Sequence, residues 1–284
     1  MTTIVASGLS QSVHDSHLDE VAGTSFARSG SLEMRLATSS ADIEAAQRLR
    51  YDVFYQEMSA TASPEMAAVK RDFDKYDDYC DHLLVVDHEA PADAAVVGTY
   101  RLLRQDVAEA HDGFYTAGEF DIDPLLQRAP AGTKFLELGR SCVLKEYRNK
   151  HTIELLWRGI MAYVHRHSMD VMFGCASFTG TDPDELALPL SFLYHTYLTP
   201  EDWCVKAHDH LRVDMNLMAE DDISIKDAVR ALPPLIKGYV RAGAYIGDGA
   251  VIDRQFGTTD VLILFPVNKM NDRYVSKFAK GDSA

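Results

Sequence analysis

The stretch from Lys134 to Phe178 constrains the fold more than any other part of the chain. Lys134-Phe-Leu-Glu-Leu-Gly-Arg-Ser-Cys-Val-Leu144 reads as a β-strand whose interior Gly139 suggests a bulge or a close backbone approach. After a short loop, Ile153, Leu156, Trp157, Ile160, Met161 and Val164 recur at i, i+3, i+4, i+7, i+8 and i+11, the unbroken apolar stripe of a helix lying on a core. Val171 to Phe178 then has the length and composition of a buried strand. A helix of that length between two such strands suits a crossover joining parallel neighbours, which places the chain in the α/β class.

The flanking sequence adds to this unit without a visible linker. Residues 1–31 are rich in Ser, Thr and Gly and poor in apolar residues, so they are expected to form a disordered tail. Leu32 to Leu36 reads as a short strand, and Ser39 to Asp42 as a capping box opening a helix to about Met58, with Ile43, Ala46, Leu49, Val53 and Phe54 on one stripe. His82–Asp87 and Ala94–Leu103 form a hairpin pattern. Glu185 to Leu198 looks helical, Leu211 to Leu217 alternates as a strand, and Pro233-Pro234 opens a helix stopped by Gly243. Val261 to Phe265 is the final buried strand. One elaborated domain over 32–278 with a flexible end at 279–284 is the simplest organisation.

Charge narrows the function. With 28 Lys plus Arg against 43 Asp plus Glu, the net charge is −15. Nucleic acid is therefore excluded as the main partner, because phosphate binding needs a cationic face. The four cysteines contain no C-x-x-C pair, the first thirty residues hold no long apolar run, and no segment approaches a membrane span. These features lead to the expectation of a cytoplasmic protein with no metal motif. The charge is also uneven. Asp72 to Asp93 carries eight carboxylates against Lys75 alone, whereas Lys134 to Arg166 carries seven basic residues against three acids.

Charged residues at positions that should face apolar neighbours are the chemical candidates. These are Arg50 on the first helix, Arg101 at the end of the hairpin, and Glu137 with Arg140 on one strand, where a bulge at Gly139 would bring the last two onto one face. Each could instead be a structural charge, and Arg101 locked to an Asp is a specific case of that reading. His195, His208 and His210 rank below Glu137 as bases.

The segments Arg48-Leu-Arg-Tyr-Asp-Val-Phe-Tyr-Gln-Glu57, Gly98-Thr-Tyr-Arg-Leu-Leu103 and Glu137-Leu-Gly-Arg-Ser-Cys142, in this order around the acidic block, resemble the branch of the GNAT (acyl-CoA N-acyltransferase-like) fold shared by acyl-homoserine-lactone synthases and ornithine-lipid synthases. Pro233-Pro-Leu-Ile-Lys-Gly-Tyr-Val-Arg-Ala-Gly243 and Asp253-Arg-Gln-Phe-Gly-Thr-Thr-Asp-Val-Leu262 are similar to the L-ornithine Nα-acyltransferase family within it. The resemblance spans Leu32 to Phe278. It implies a mixed, mostly antiparallel central sheet flanked by helices, with a C-terminal elaboration.

The resemblance also implies transfer of a 3-hydroxyacyl chain from acyl carrier protein to the α-amine of L-ornithine, giving lyso-ornithine lipid. Glu137 and Arg140 are then the catalytic candidates, with Glu137 as base or as orienting acceptor for the ammonium. Arg50 or Arg101 would fork the ornithine carboxylate, Asp74 and Asp77 would take its ammonium groups, and Phe54 would line the site. The donor would lie along Cys142 and Val143. The loop Glu146-Tyr-Arg-Asn-Lys-His-Thr152 lacks the glycines with which relatives cradle coenzyme A, which favours the single phosphodiester of an acyl-phosphopantetheine held by Arg148 and Lys150. No bound cofactor is expected. The acyl chain would lie against Phe173, Cys175, Phe178 and the Leu186 to Leu198 segment. A lipid product makes peripheral contact with the inner membrane a further expectation. Two other readings stay open: a homoserine-lactone synthase or another amino acid's N-acyltransferase, and a non-catalytic acyl-carrier or lipid-binding module.

Overall fold

A computed structural model describes residues 25–270. The strands are β1 (Ser25–Ser29), β2 (Leu32–Leu36), β3 (Asp81–Asp87), β4 (Val96–Arg104), β5 (Phe120–Asp121), β6 (Phe135–Val143), β7 (Val171–Thr179), β8 (Lys206–Ala207), β9 (Arg212–Val213), β10 (Tyr245–Asp253) and β11 (Thr258–Pro266). The helices are α1 (Ser40–Tyr51), α2 (Pro64–Val69), α3 (Gln105–Ala110), α4 (Asp123–Arg128), α5 (Lys150–His167), α6 (Ala187–Tyr197), α7 (Ile225–Ala231) and α8 (Pro234–Ala242). Ordered structure begins earlier than the sequence suggests, because β1 pairs antiparallel with β2 inside the stretch assigned to the tail. Residues 1–24 and the expected flexible end 279–284 lie outside the described residues.

Where the sequence suggests one domain, the described chain divides into two compact units, 25–103 with 139–167 and 104–138 with 168–270. In the first, β1, β2, β3 and β4 follow one another antiparallel. Ser39 caps α1 by accepting from the Asp42 N–H, as the capping pattern predicts. Ile43, Ala46 and Ala37 pack with Leu84 and Val86 of β3. The expected helix to Met58 ends differently: residues Asp52–Glu57 form a π turn, with Met58 N–H donating to the Val53 carbonyl. Such a turn inserts one residue, and here Tyr55 is buried with its hydroxyl donating to Asp72 Oδ1. Helix α5 buries Leu156, Trp157, Ile160, Met161 and Val164, each contributing about 1.5–3 kcal/mol. Ile153 departs from the stripe and is 44% exposed.

In the second unit β6 pairs parallel with β7 from Phe135↔Val171 to Glu137↔Phe173, the connection predicted from the crossover spacing. β7 then pairs antiparallel with β11, and β11 with β10. The alternating Leu211 to Leu217 forms only the two-residue strand β9. Helix α8 starts at Pro234 and ends at Gly243, whose φ of 107° is the left-handed cap that glycine accepts without strain.

Candidate active site

The charged residues predicted in the first unit do meet, but chiefly one another. Arg50 is 0% exposed; its Nε donates to Asp72 Oδ2 at 2.7 Å and its Nη2 to the Asp72 carbonyl and to Asp77 Oδ2, both at 2.6 Å. Arg101 Nη1 donates to Asp74 Oδ1 at 2.6 Å and to Asp77 Oδ1 at 3.2 Å. Gln47 Nε2 adds a bond to Asp77. Asp74 and Asp77 also close the capping box of the turn Lys75–Asp78. Burial pushes the Asp77 carboxyl up, but Arg50, His82 and Arg101 outweigh it and hold the group well below the usual carboxylate range. Buried charges of this kind are tolerated only with their partners in place. Arg50, Arg101 and Asp77, the residues expected to hold ornithine, are thus bonded to one another inside the unit.

Two further aspartates of the acidic block accept from tyrosine hydroxyls. Asp81 is buried and accepts from the Tyr163 hydroxyl, and Asp87 accepts from the Tyr147 hydroxyl at 2.7 Å. Asp78, Glu89 and Asp93 are exposed. His82 is buried beside Asp77, with its Nε2 3.1 Å from the Asp77 carbonyl, and burial lowers its pKa to about 4.

Asp74 and Arg140 occupy the more open edge of this cluster, with Arg140 Nη2 donating to Asp74 Oδ2 at 3.1 Å and Nε 3.4 Å from Asp72 Oδ2. The irregularity expected at Gly139 falls on Arg140, whose φ is 49°. A Cβ at Gly139 would meet nothing within 4 Å, so no close backbone approach explains that glycine. A left-handed non-glycine residue costs about 1–2 kcal/mol, which the hydrogen bond to Asp74 and the ion pair with Asp72 offset.

The donor-side candidates are partly engaged. Cys142 is buried with Leu49 and Val53, Phe54 packs against that cluster, and burial pushes the thiol up to about 12, which keeps it protonated at neutral pH. The Val143 carbonyl accepts from Arg148 Nε at 2.9 Å, and Arg148 also forks Glu57 through two 2.6 Å bonds. Lys150 is exposed at the start of α5, where the Asn149 side chain caps the Thr152 N–H.

Glu137 lies in the second unit, buried at the last register pair of β6 with β7. Its two oxygens accept from the Tyr115 N–H at 3.0 Å and the Thr116 N–H at 2.6 Å, which fixes the carboxylate. Nearby, Cys175 Sγ donates to Glu119 Oε2 at 3.2 Å. Burial raises the Cys175 thiol well above its usual value, and Glu119, Asp260 and Glu137 raise it further, which places three carboxylates around one thiol. Glu119, Asp253 and Asp260 bring carboxylate oxygens within 4.8 Å of one another. This arrangement attracts a cation, whether a metal or an ammonium. Sequence reading assigned none of these three a role, although Asp253 and Asp260 bracket the hairpin between β10 and β11.

An apolar pocket adjoins the constellation, lined by Leu138, Met172, Phe173, Gly174, Cys175, Tyr239, Ile263 and Phe265. Of the β7 residues expected to lie along an acyl chain, Phe173 and Cys175 are among its walls and Phe178 is not. The Leu186 to Leu198 segment is not among its walls, which α8 and β11 supply instead. Gly174 stands where the parallel pairing stops: its φ is 157°, and a Cβ would lie 2.2 Å from the Leu138 carbonyl oxygen. His195 and His208 spend Nε2 on the Met218 and Ala117 carbonyls.

Residues 49–158 match the acetyltransferase (GNAT) domain. The chain is 54% identical to an L-ornithine N(alpha)-acyltransferase of Rhizobium meliloti, over 88% of this chain and 85% of that protein. It is 51% identical to an L-ornithine N(alpha)-acyltransferase of Agrobacterium fabrum, over 89% and 87% respectively. Among solved structures it is similar to an N-acyl amino acid synthase from uncultured soil microbes, with 9% identity, a TM-score of 0.45, and coverage of 87% of this chain and 94% of that one.

Proposed function

This chain belongs to the L-ornithine Nα-acyltransferase family and is an acyltransferase, and from that premise we propose that it moves a 3-hydroxyacyl chain from acyl carrier protein to the α-amine of L-ornithine, giving lyso-ornithine lipid. The observation that carries this reading is the meeting, within the second unit, of a carboxylate constellation with an apolar pocket. Ornithine brings two ammonium groups, which suit the carboxylates of Glu119, Asp253 and Asp260, while the acyl chain suits the apolar walls. The α-amine must lose a proton before it attacks. Glu137, fixed by two backbone N–H groups, orients that ammonium and receives its proton directly or through water. The amine nitrogen then adds to the thioester carbonyl carbon. The C–S bond breaks, and the thiolate leaves with a proton to give amide and free phosphopantetheine thiol.

Acyl carrier protein is acidic, and the basic run Lys134 to Arg166, with Lys150 exposed at its centre, is the complementary feature of an otherwise acidic chain. Asp74 and Arg140 remain candidates for contact with substrate at the open edge of their cluster. No described helix is long and apolar enough to cross a membrane. Delivery of a lipid product implies peripheral contact with the inner membrane from the cytoplasm.

Replacing Asp253 or Asp260 by Asn tests the acceptor assignment. The account predicts a KM for ornithine raised tenfold or more with the KM for acyl carrier protein unchanged, and full activity in chelator, since ammonium groups and not a metal fill the constellation. An unchanged ornithine KM in both variants contradicts it.

A further inference from the structure

We propose that Cys175 and His208 are positioning residues for acyl transfer: from β7 and from the end of β8 they hold the turn Tyr115–Gly118, on which Glu137 and Glu119 both depend. The proposal deepens the proposed function and rests on its assignment of Glu119 to the ornithine ammonium groups. The turn is four residues long and has no side-chain cap, too short to keep its shape without bonds from elsewhere. Yet it serves two carboxylates. Tyr115 and Thr116 donate their N–H groups to the Glu137 oxygens at 3.0 and 2.6 Å. The Glu119 N–H donates to the Thr116 carbonyl at 3.0 Å, which sets where the Glu119 side chain leaves the backbone to join Asp253 and Asp260. Displacement of the turn thus disturbs the proton acceptor and the ammonium site together.

Phe173 and Cys175 alternate with Gly174 along β7 and so share a face of the strand. The Phe114 ring, just before the turn, meets the Phe173 ring edge to face with centroids 4.9 Å apart, so the turn starts against a wall of the apolar pocket. Cys175 Sγ donates to Glu119 Oε2 at 3.2 Å and lies 3.9 Å from Thr116 Oγ1, while also lining the pocket. One side chain therefore joins the acyl wall to the acceptor carboxylate. Burial and the carboxylates of Glu119, Asp260 and Glu137 keep this thiol protonated, so it remains a donor.

His208, next after β8, bonds the same segment twice. Its N–H donates to the Glu119 carbonyl at 3.0 Å, continuing the β5–β8 pairs Phe120↔Ala207 and Asp121↔Lys206. Its ring Nε2 lies 2.8 Å from the Ala117 carbonyl oxygen. Since a carbonyl oxygen only accepts, Nε2 carries the hydrogen, and the imidazole acts here as a donor to the turn rather than as a base. β8 also pairs with β10 through Lys206↔Asp248, and β10 ends at Asp253. The turn, the Glu119 backbone and the strand of Asp253 thus form one hydrogen-bonded frame, and side chains carried on such a frame meet substrate in one geometry.

Steady-state kinetics of four variants, with ornithine KM, donor KM and kcat resolved, read these two roles. Cys175→Ala keeps an apolar wall but removes the hydrogen given to Glu119, so ornithine KM is expected to rise about tenfold with donor KM within about twofold of wild type. Cys175→Ser restores a donor and should recover most of that loss. His208→Ala leaves the main-chain bond but releases the Ala117 carbonyl, so kcat is expected to fall about tenfold through misalignment of Glu137. His208→Gln, whose amide N–H replaces the imidazole donor, should recover to within about threefold of wild type. Hydrogen exchange needs no substrate: the Tyr115 and Thr116 amides should exchange about tenfold faster in His208→Ala than in wild type or His208→Gln. Wild-type behaviour of either alanine variant, or alanine variants matched by their Ser and Gln counterparts, overturns the proposal. Absence of N-acylornithine from every protein, with exchange as expected, overturns the proposed function and leaves the hold on the turn standing.

Discussion

Removing the Arg50 side chain separates the two roles open to it. In Arg50→Ala the carboxylates of Asp72 and Asp77 lose the partner that bonds them at 2.7 and 2.6 Å, in a site where Arg50 is 0% exposed and Asp72 1%. Breaking a buried pair from one side leaves uncompensated charge and costs about 3–5 kcal/mol. For a folded region of this size each kcal/mol lowers the melting temperature by about 2–4 °C, so a fall of about 10 °C is expected. Arg50→Lys keeps the charge but presents one nitrogen where the guanidinium spans three acceptor atoms, so it should fall between the two. The assay is thermal unfolding followed by circular dichroism, with ornithine KM measured below the transition. A structural arginine gives the large melting shift and a KM within twofold of wild type. A melting temperature within 2 °C of wild type, with ornithine KM raised tenfold, refutes the reasoning and restores Arg50 as a substrate fork.

Two further outcomes follow from single residues. His82 has a folded pKa of about 4 against an ordinary 6.5, so between these values the unfolded chain takes up a proton that the folded chain does not. Its contribution to stability is complete above 6.5 and declines as pH falls towards 4, by about 3 kcal/mol in all, and His82→Gln should flatten the denaturation midpoint across that window; parallel slopes for the two proteins exclude His82 as the cause. In Gly174→Ala the new Cβ, placed 2.2 Å from the Leu138 carbonyl oxygen, forces β6 and β7 apart next to the apolar pocket. A destabilisation of about 1–3 kcal/mol is expected, with kcat/KM for long-chain donors reduced more than tenfold; wild-type kinetics would show that the strand divergence is immaterial.

The strand–helix–strand core was legible because its apolar periods are long and uninterrupted. Strand β10 was not, since Tyr245-Ile-Gly-Asp-Gly-Ala-Val-Ile-Asp253 carries two glycines and an aspartate that dilute any alternation; its pairing with β11 supplies what local pattern does not. The partners of the candidate-site residues were hidden for a related reason. Density of carboxylates in Asp72 to Asp93 drew attention as a cation site, and three of them, Asp72, Asp74 and Asp77, pair with arginines distant in sequence, Arg50, Arg101 and Arg140. Glu119, Asp253 and Asp260 are sparse in sequence and become a cluster only when β11 pairs with β10 and the segment preceding β5 folds against them. The hairpin register, with Val251 opposite Asp260 and Asp253 opposite Thr258, was the one clue open to sequence, because it brings two acids seven residues apart to the same hairpin end.

The central claim is that ornithine, and its α-amine in particular, accepts the acyl chain. Purified protein incubated with 3-hydroxyacyl carrier protein and a panel of amino acids, with fragmentation mass spectrometry of the products, tests it most directly. The account predicts an amide with ornithine, the acyl group on the α-nitrogen, and stoichiometric release of carrier-protein thiol. Acylation of the side-chain nitrogen, or amide formation with another amino acid and none with ornithine, contradicts it.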